Sequence, residues 1–247
     1  MIYGSFAQYY DELFDEELYQ KWFQYVRAST NGRERVLDLA GGAGRLGVLL
    51  AQAGYEVTDA DLSEEMLALA SQHAIEANVE LQLVQANMLE LQELGMFDII
   101  TCFADSLCYL QNLTEVQQVF TQVEQHLVAG GQFLFDLITP YQTDVIYPGY
   151  MFNYQSDDDQ RFFMWSSYQN DDVPHGVIHE LSFFDRQVNG DYHRLTETHF
   201  ERSYRIKQII KALHESGFQD IDVTSNYGEQ VPDKQTTRWF FKCRKSE

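Results

Sequence analysis

The sequence predicts an α/β fold, a doubly wound, seven-stranded and mainly parallel sheet into which a small antiparallel β-lobe is inserted. Short apolar runs such as Phe97–Cys102 alternate with amphipathic stretches, which is typical of strands that helices cover on both faces. After Pro140 the pattern changes to the aromatic, alternating sequence of antiparallel strands. At 247 residues, a chain of this kind can bury one large core.

The first 140 residues alternate between predicted strands and helices. Strands are expected over residues 35–39, 56–61, 80–85, 97–103 and 132–138. Helices are expected over residues 44–53, from residue 63 onward, and over residues 114–128. Ser63 fits an N-cap because acidic residues follow it in the first turn, where the helix dipole favours them. Gly130 and Gly131 are expected to close the third helix.

The C-terminal residues are expected to complete the same sheet. An amphipathic helix is predicted over residues 204–216, and two strands follow over residues 219–224 and 237–244. Before this helix, residues 152–203 predict three or four antiparallel strands. The Asn189-Gly190 pair between two of them predicts a hairpin.

These elements predict two structural units. Residues 1–140 and 204–247 are expected to form one domain, and residues 150–203 an inserted antiparallel β-lobe. In open α/β sheets, ligands bind at the carboxyl ends of the strands, and the insertion follows such an end. The lobe is therefore expected to lie over the active site.

The composition argues against several classes of function. A net charge of −21 would repel a phosphate backbone, so no nucleic acid partner is expected. No apolar run is long enough to cross a bilayer, and the N-terminus lacks a signal-peptide pattern, so we expect a cytoplasmic protein with no membrane partner. The three cysteines lack C-x-x-C spacing, so neither a disulfide framework nor a bound metal is expected.

A glycine-rich turn follows the first predicted strand, in the run from Asp38 to Gly44. Glycines allow the backbone to turn sharply into a helix and allow a ligand to approach the main chain. Together with Gly47, however, Gly42 and Gly44 also match the G-x-G-x-x-G fingerprint of dinucleotide-binding proteins. A nicotinamide-dependent oxidoreductase is therefore an alternative.

Two acids favour a different cofactor. Asp38 at the end of the first strand would disfavour a phosphate, but it suits the positively charged amino group and sulfonium of S-adenosylmethionine. Asp61 at the end of the second strand can accept hydrogen bonds from both ribose hydroxyls, a role that both cofactor classes share. The pair favours methyl transfer.

These segments resemble the class I S-adenosylmethionine-dependent methyltransferases. The run from Asp38 to Gly44 is similar to the family's D-x-G-x-G-x-G motif, with Ala40 in place of its first glycine. Residues 57–67 resemble the second motif, in which the acid that matches Asp61 binds ribose and the next residue packs near adenine.

Two later segments extend the resemblance. Asn87 and Met88 fall where the family has a pair that lines the adenine pocket, and Phe103 begins the segment that the family places beside the methionine moiety. The resemblance implies S-adenosylmethionine as the cofactor. The residues implied to bind it are Asp38, Ala40, Gly41, Gly42, Gly44, Asp61, Leu62, Asn87, Met88 and Phe103.

The acceptor is indicated by weaker features. The tyrosine-rich N-terminus and the β-lobe resemble those of small-molecule N-methyltransferases, including those that act on amino sugars. This implies a small-molecule acceptor, with an amine as the expected group, and Tyr10 as a residue that helps close the site. A non-catalytic S-adenosylmethionine-binding protein is a further alternative, and a homodimer is compatible with the sequence.

The expected reaction is an in-line displacement, in which the acceptor attacks the methyl carbon and alignment of the reactants supplies most of the catalysis. Asp105 or a lobe histidine is a candidate to take the acceptor's proton. His179 and His199 could face one side of neighbouring strands, and we interpret them as half-buried strand residues rather than as metal ligands or a base.

Overall fold

The computed structural model describes residues 11, 16–30, 32, 34–91, 94–156 and 158–246. Tyr10, and with it the prediction that it closes the site, lies outside the described residues. The strands are β1 (Arg35–Leu39), β2 (Glu56–Asp61), β3 (Gln82–Gln85), β4 (Phe97–Cys102), β5 (Leu127–Ile138), β6 (Met151–Gln155), β7 (Arg161–Asn170), β8 (Gly176–Arg186), β9 (Tyr192–Arg202), β10 (Phe218–Thr224) and β11 (Arg238–Lys245).

A seven-stranded sheet in the order β10-β11-β5-β4-β1-β2-β3 forms the main layer. Strands β3, β2, β1, β4 and β5 pair in parallel, whereas β11 runs antiparallel to both of its neighbours, β5 and β10. This confirms the predicted α/β fold with a mainly parallel sheet. The carboxyl ends of β1, β2 and β4 meet at one edge, where the predicted ligand site lies.

In the described part of the chain, five α-helices cover the two faces of this sheet. They are α1 (Glu16–Arg27), α2 (Arg45–Gln52), α3 (Glu64–Ala77), α4 (Leu113–His126) and α5 (Ile206–Glu215). Phe120 of α4 and Leu213 of α5 belong to the core cluster on one face, and Trp22 of α1 and Leu50 of α2 to the cluster on the other. Ser63 caps α3 as expected, since its side chain accepts a hydrogen bond from the Met66 N–H at 3.2 Å.

Gly130 and Gly131 do not close a helix as predicted. Helix α4 ends at His126, and β5 begins at Leu127 and runs through Gly130 and Gly131. The register between β4 and β5 shifts here, and Gly130 has a φ of +72°. The two glycines therefore form an irregularity inside a strand, and the positive φ at Gly130 favours glycine at that position.

Strands β6 to β9 form a separate antiparallel sheet within the predicted lobe. The predicted hairpin joins β8 to β9, with Gly190 at a φ of +90°. Phe163, Trp165 and Ser167 occupy every second position of β7 and so share one face of the strand. Their partners on β8 are Phe183, Leu181 and His179, respectively. None of the helices in the described part of the chain has the length and apolarity that a bilayer crossing requires.

Candidate active site

A cavity of about 950 Å³ lies between the carboxyl ends of the main-sheet strands and the inner face of the β-lobe. This volume is in the range of sites that bind small molecules and cofactors. One end is lined by the glycine turn and by residues after β2, β3 and β4, and the other end by aromatic and titratable side chains of the lobe. The two ends offer separate places for a cofactor and an acceptor.

The glycine turn places its backbone against the cavity. Ala40 and Gly42 adopt positive φ angles of 57° and 60°, and both line the cavity with Gly41. A Cβ at Gly41 would lie 2.5 Å from Asp59 Oδ1, so only glycine fits there. The approach of the backbone to the Asp59 carboxyl explains this part of the motif.

Gly44 has a packing role in the structure. It is not among the described residues that line the cavity, and it begins α2 with a φ of +71°. A Cβ at Gly44 would lie 2.6 Å from the Cβ of Ala70 in α3. Its lack of a side chain therefore allows the close packing of α2 on α3, and its contact with the cofactor stays a prediction.

Asp38 lies at the end of β1 and lines the cavity with only 2% of its surface exposed. Its Oδ1 accepts a hydrogen bond from Thr101 Oγ1 at 2.7 Å. Burial raises the pKa of Asp38 to about 7, the Thr101 hydrogen bond opposes the rise, and the Asp61 carboxyl adds to it. A nearby cation would favour the ionised form of this carboxyl.

Asp61 ties the glycine turn to the start of α3. Its Oδ2 accepts from the Gly42 N–H and its Oδ1 from the Ser63 N–H, each at 2.9 Å. Burial raises the pKa of Asp61, while these backbone hydrogen bonds oppose the rise. Each carboxylate oxygen keeps further acceptor capacity, which a pair of ligand hydroxyls can use.

The remaining predicted cofactor residues surround the same end of the cavity. Leu62 and Met88 line it, and Asn87 is fixed there because its Oδ1 accepts from the Leu89 N–H at 3.0 Å. Phe103 also lines the cavity and stacks on Trp22 of α1, with ring centroids 6.0 Å apart. The structure thus brings together every predicted cofactor residue except Gly44.

Asp105 follows β4 and is held by a cation. Its two carboxylate oxygens accept from Nη1 and Nη2 of Arg238, each at 2.6 Å, and Arg238 Nη1 also lies 3.0 Å from Asp136 Oδ2. Burial raises the pKa of Asp105 to about 7, and the charge of Arg238 opposes this rise. Because both oxygens are engaged, the geometry disfavours Asp105 as the proton acceptor.

The lobe histidines are direct cross-strand partners on β8 and β9, which confirms that His179 and His199 face the same side. They are each 2% exposed and line the cavity, so they are fully buried rather than half-buried. His199 Nδ1 lies 2.9 Å from the Tyr109 hydroxyl, and its Nε2 lies 2.9 Å from Glu197 Oε2. Tyr109, His199 and Glu197 thus form a chain of titratable groups at the end of the cavity that the lobe lines, which we call the acceptor end.

Several residues of this end were missed from the sequence, namely Tyr109, Glu197, Glu201 and Arg238. Glu197, His199 and Glu201 occur at every second position of β9, and this alternation could have assigned them to one face. For Tyr109 and Arg238 no comparable local pattern exists, because their partners are distant in the sequence.

Comparisons with known proteins agree with this geometry. The methyltransferase domain family matches residues 36–131. A protein of Geobacillus sp. (strain WCH70) that is named as a methyltransferase is 38% identical over 250 residues, which are 99% of this chain and 100% of the relative. The chain belongs to the class I S-adenosylmethionine-dependent methyltransferases. Its membership decides against the nicotinamide-dependent alternative.

Solved structures resemble this methyltransferase over nearly its whole length. An S-adenosylmethionine-dependent methyltransferase from Clostridium acetobutylicum ATCC 824 superposes with a TM-score of 0.84 at 29% identity, and 98% of each chain is covered. The sugar N-methyltransferase KedS8 from Streptoalloteichus sp ATCC 53650 has a TM-score of 0.76 at 17% identity, covering 93% of this chain and 87% of the other. The latter likeness shows a common fold.

The site of this methyltransferase fits its cofactor, S-adenosylmethionine. Buried Asp38 matches a cationic methionine moiety, and the Asp61 carboxylate can accept further hydrogen bonds from a ribose. The backbone at Ala40, Gly41 and Gly42 faces the cavity directly. A phosphate at the Asp38 end would meet a carboxyl group instead of a cation.

Proposed function

We propose that this methyltransferase transfers the methyl group to an amine of a small molecule bound between the main sheet and the β-lobe. The observation that carries the proposal is the lining of the cavity. Among the described lining residues, the acids are Asp38, Asp61, Asp105, Glu115 and Glu201, and the cations are Arg161 and Arg238. An excess of acids favours a positively charged ligand over an anionic one. KedS8, named a sugar N-methyltransferase, has the same fold.

The cofactor end supports an assignment of roles to single residues. Asp38 would bind the amino group of the methionine moiety, and Asp61 the ribose hydroxyls. Leu62, Asn87 and Met88 would surround the adenine, and Phe103 would lie beside the methionine moiety. S-adenosylmethionine supplies an electrophilic methyl group when bound.

The protein's own part of the reaction is alignment and exclusion of water. Holding two reactants in line is worth about 7–11 kcal/mol in well-oriented reactions. An amine that binds as an ammonium first releases one proton to water, and the neutral amine that remains then attacks the methyl carbon without a dedicated base. The aromatic wall of the lobe, including Phe163 and Phe183 in contact at 4.5 Å between centroids, would keep water from the acceptor end. Tyr10 is proposed to help close the site from the N-terminal segment.

Cofactor binding tests the first half of this proposal. We expect S-adenosylmethionine to bind in isothermal titration calorimetry, and Asp61→Asn to weaken binding by about tenfold to a hundredfold, as for the loss of hydrogen bonds to a charged group. The matched control is Glu64→Gln, which removes an exposed acid three residues away and should leave the affinity unchanged. Equal affinities in all three proteins would contradict the role of Asp61.

An acceptor screen tests the second half. Methyl transfer from labelled S-adenosylmethionine should be detected with members of an amine library and not with matched hydroxyl or carboxyl compounds. Transfer to hydroxyl compounds alone would overturn the amine assignment. Cofactor binding without transfer to any compound would support the non-catalytic alternative.

A further inference from the structure

We propose that Glu201, with the aromatic rings of Tyr147, Tyr150 and Trp165, forms the subsite that binds the positively charged amine of the acceptor, and that His179 keeps Glu201 ionised. This inference rests on the proposed function and names the residues that select the acceptor. It makes Glu201 a specificity-determining residue and His179 a positioning residue.

Glu201 is a buried acid in the wall of the cavity. Its side chain is 9% exposed, it lines the cavity, and its Oε2 has no hydrogen-bond partner among the described residues. Burial works against ionisation of Glu201, but interactions with His179 and Tyr109 outweigh burial and hold its pKa below the usual value. The negative charge of a buried carboxylate in the cavity wall stabilises a cation that enters the cavity beside it.

The protonation of His179 follows from its neighbours. The indole Nε1–H of Trp165 donates to His179 Nδ1 at 3.1 Å, and the Ser167 hydroxyl lies 2.7 Å from the same nitrogen. An indole N–H can only donate, so Nδ1 must be the unprotonated nitrogen and Nε2 carries the proton. His179 Nε2 lies 3.6 Å from Glu201 Oε2, so this N–H points its positive end toward the carboxylate.

Three aromatic rings stand beside this pair. The rings of Tyr147 and Trp165 contact the His179 ring with centroids 4.7 Å and 5.3 Å away. Tyr150 contacts both Trp165, at 5.4 Å, and Tyr147, at 6.4 Å. All three rings line the cavity. Aromatic faces attract ammonium groups, and a cluster of rings beside an acid is a recognised arrangement for binding a cationic amine.

The subsite adjoins the cofactor end of the cavity. Burial raises the pKa of both Asp105, which follows β4, and Tyr147, and the charge of Glu201 adds to each rise. The titratable groups that face Glu201 are His179 on β8, His199 on β9, Tyr109 in the short helix Ser106–Tyr109, and Asp105 and Tyr147 across the cavity. An amine held by Glu201 therefore lies beside the turn that follows β4.

Two matched ligand pairs test the subsite by calorimetry on protein saturated with S-adenosylhomocysteine. The pairs are benzylamine with benzyl alcohol, and glucosamine with glucose. We expect at least one amine to bind about tenfold more tightly than its neutral partner. Glu201→Gln should abolish this preference and keep the affinity for S-adenosylhomocysteine. Glu180→Gln, which removes an exposed acid from the opposite face of β8, should retain the preference.

The pH dependence of amine binding tests the effect of His179 on Glu201. His179→Leu removes the N–H that faces Glu201, so the pKa of Glu201 rises and the pH below which amine binding is lost moves upward. His179→Gln can present an N–H at a similar place and should restore most of the wild-type profile. The measurement is the amine affinity between pH 5 and pH 8. Identical profiles in all three proteins would overturn the role of His179.

The subsite and the proposed function fail in different ways. Wild-type protein that binds neither amine more tightly than its neutral partner, or Glu201→Gln that keeps the preference, overturns the subsite. If methyl transfer to amines persists in that case, the proposed function stands. If S-adenosylmethionine does not bind at all, the proposed function fails before the subsite is reached.

Discussion

At the scale of single residues, we expect the buried carboxyl of Asp38 to make binding of S-adenosylmethionine sensitive to pH. Burial raises its pKa from 3.8 to about 7, so the group is largely protonated at pH 6. A cationic cofactor favours the ionised form, so binding below pH 7 requires release of a proton. We expect the affinity for S-adenosylmethionine to fall by up to about tenfold per pH unit below pH 7.

Asp38→Asn separates this carboxyl from other titrating groups. Calorimetry at pH 5.5, 6.5 and 7.5 should show weaker binding by the variant at pH 7.5 and little change with pH. If the variant keeps the wild-type pH profile, a group other than Asp38 controls the affinity.

The sequence predicted the acids at the cofactor end because each lies at the carboxyl end of a strand of the parallel sheet. Asp38 and Asp61 could be assigned from the short apolar runs that contain them, together with the glycine turn between them. The acceptor end could not be predicted in the same way. Tyr109 and His199 lie 90 positions apart and meet only because β9 folds back over the turn that follows β4. Such a contact depends on lobe docking, which has no local sequence pattern.

At the scale of elements, the close approach of α2 and α3 depends on Gly44. Gly44→Ala should cost about 1 kcal/mol for the positive φ, and about 1–3 kcal/mol more for the clash with Ala70. The expected result is a clear fall in the free energy of unfolding, measured by urea denaturation.

Gly130 provides a matched control for this variant. It has nearly the same φ, +72° against +71°, but a Cβ there would meet nothing within 4 Å. Gly130→Ala should therefore show only the conformational cost of about 1 kcal/mol. Equal losses in the two variants would show that the contact between the helices tolerates a methyl group.

Strand β11 is linked to the turn after β4 through Arg238. Arg238→Met would leave the carboxylates of Asp105 and Asp136 buried without their cation, and breaking a buried ion pair in this way costs about 3–5 kcal/mol. Thermal denaturation should show a large loss of stability at pH 8.

Arg244 on the same strand is the control. Its side chain is 51% exposed and lies 3.9 Å from Asp220, so Arg244→Met should change stability by less than about 0.5 kcal/mol. A similar loss in both variants would point to the strand itself instead of the buried carboxylates.

The order and type of the elements followed from hydrophobic periodicity, since short apolar runs and amphipathic stretches alternate clearly. Their ends were less predictable. Gly130 and Gly131 were expected to stop a helix, yet they belong to β5, because glycine serves equally as a helix stop and as a strand irregularity.

At the scale of the whole molecule, we expect stability to fall as pH rises from about 5 to 8. Burial raises the pKa of Asp38 and Asp59 above their unfolded values, so the folded chain binds more protons in this window and loses stability as they leave. The net charge of −21 adds repulsion in the same direction. The melting temperature across this range checks the expectation.

Asp59→Asn tests one of these two contributions. Both Asp59 oxygens lack a hydrogen-bond partner within the described ranges, so ionisation there is uncompensated. The variant should flatten the dependence of the melting temperature on pH, whatever its effect at a single pH. A slope equal to that of the wild type would show that Asp59 binds no more protons in the folded chain than in the unfolded chain over this window.

The lobe is one uninterrupted stretch of chain, with β6 beginning at Met151 and β9 ending at Arg202. All of the proposed cofactor contacts come from residues before Ser106, whereas Trp165, His179 and Glu201 come from the lobe. On the proposed assignment, the cofactor contacts and most of the acceptor subsite are therefore encoded in separate stretches of the gene. Substitutions in the lobe can therefore change the choice of acceptor while the cofactor-binding stretch continues to supply the methyl group. We expect a chimaera that carries the lobe of a relative to methylate the acceptor of that relative.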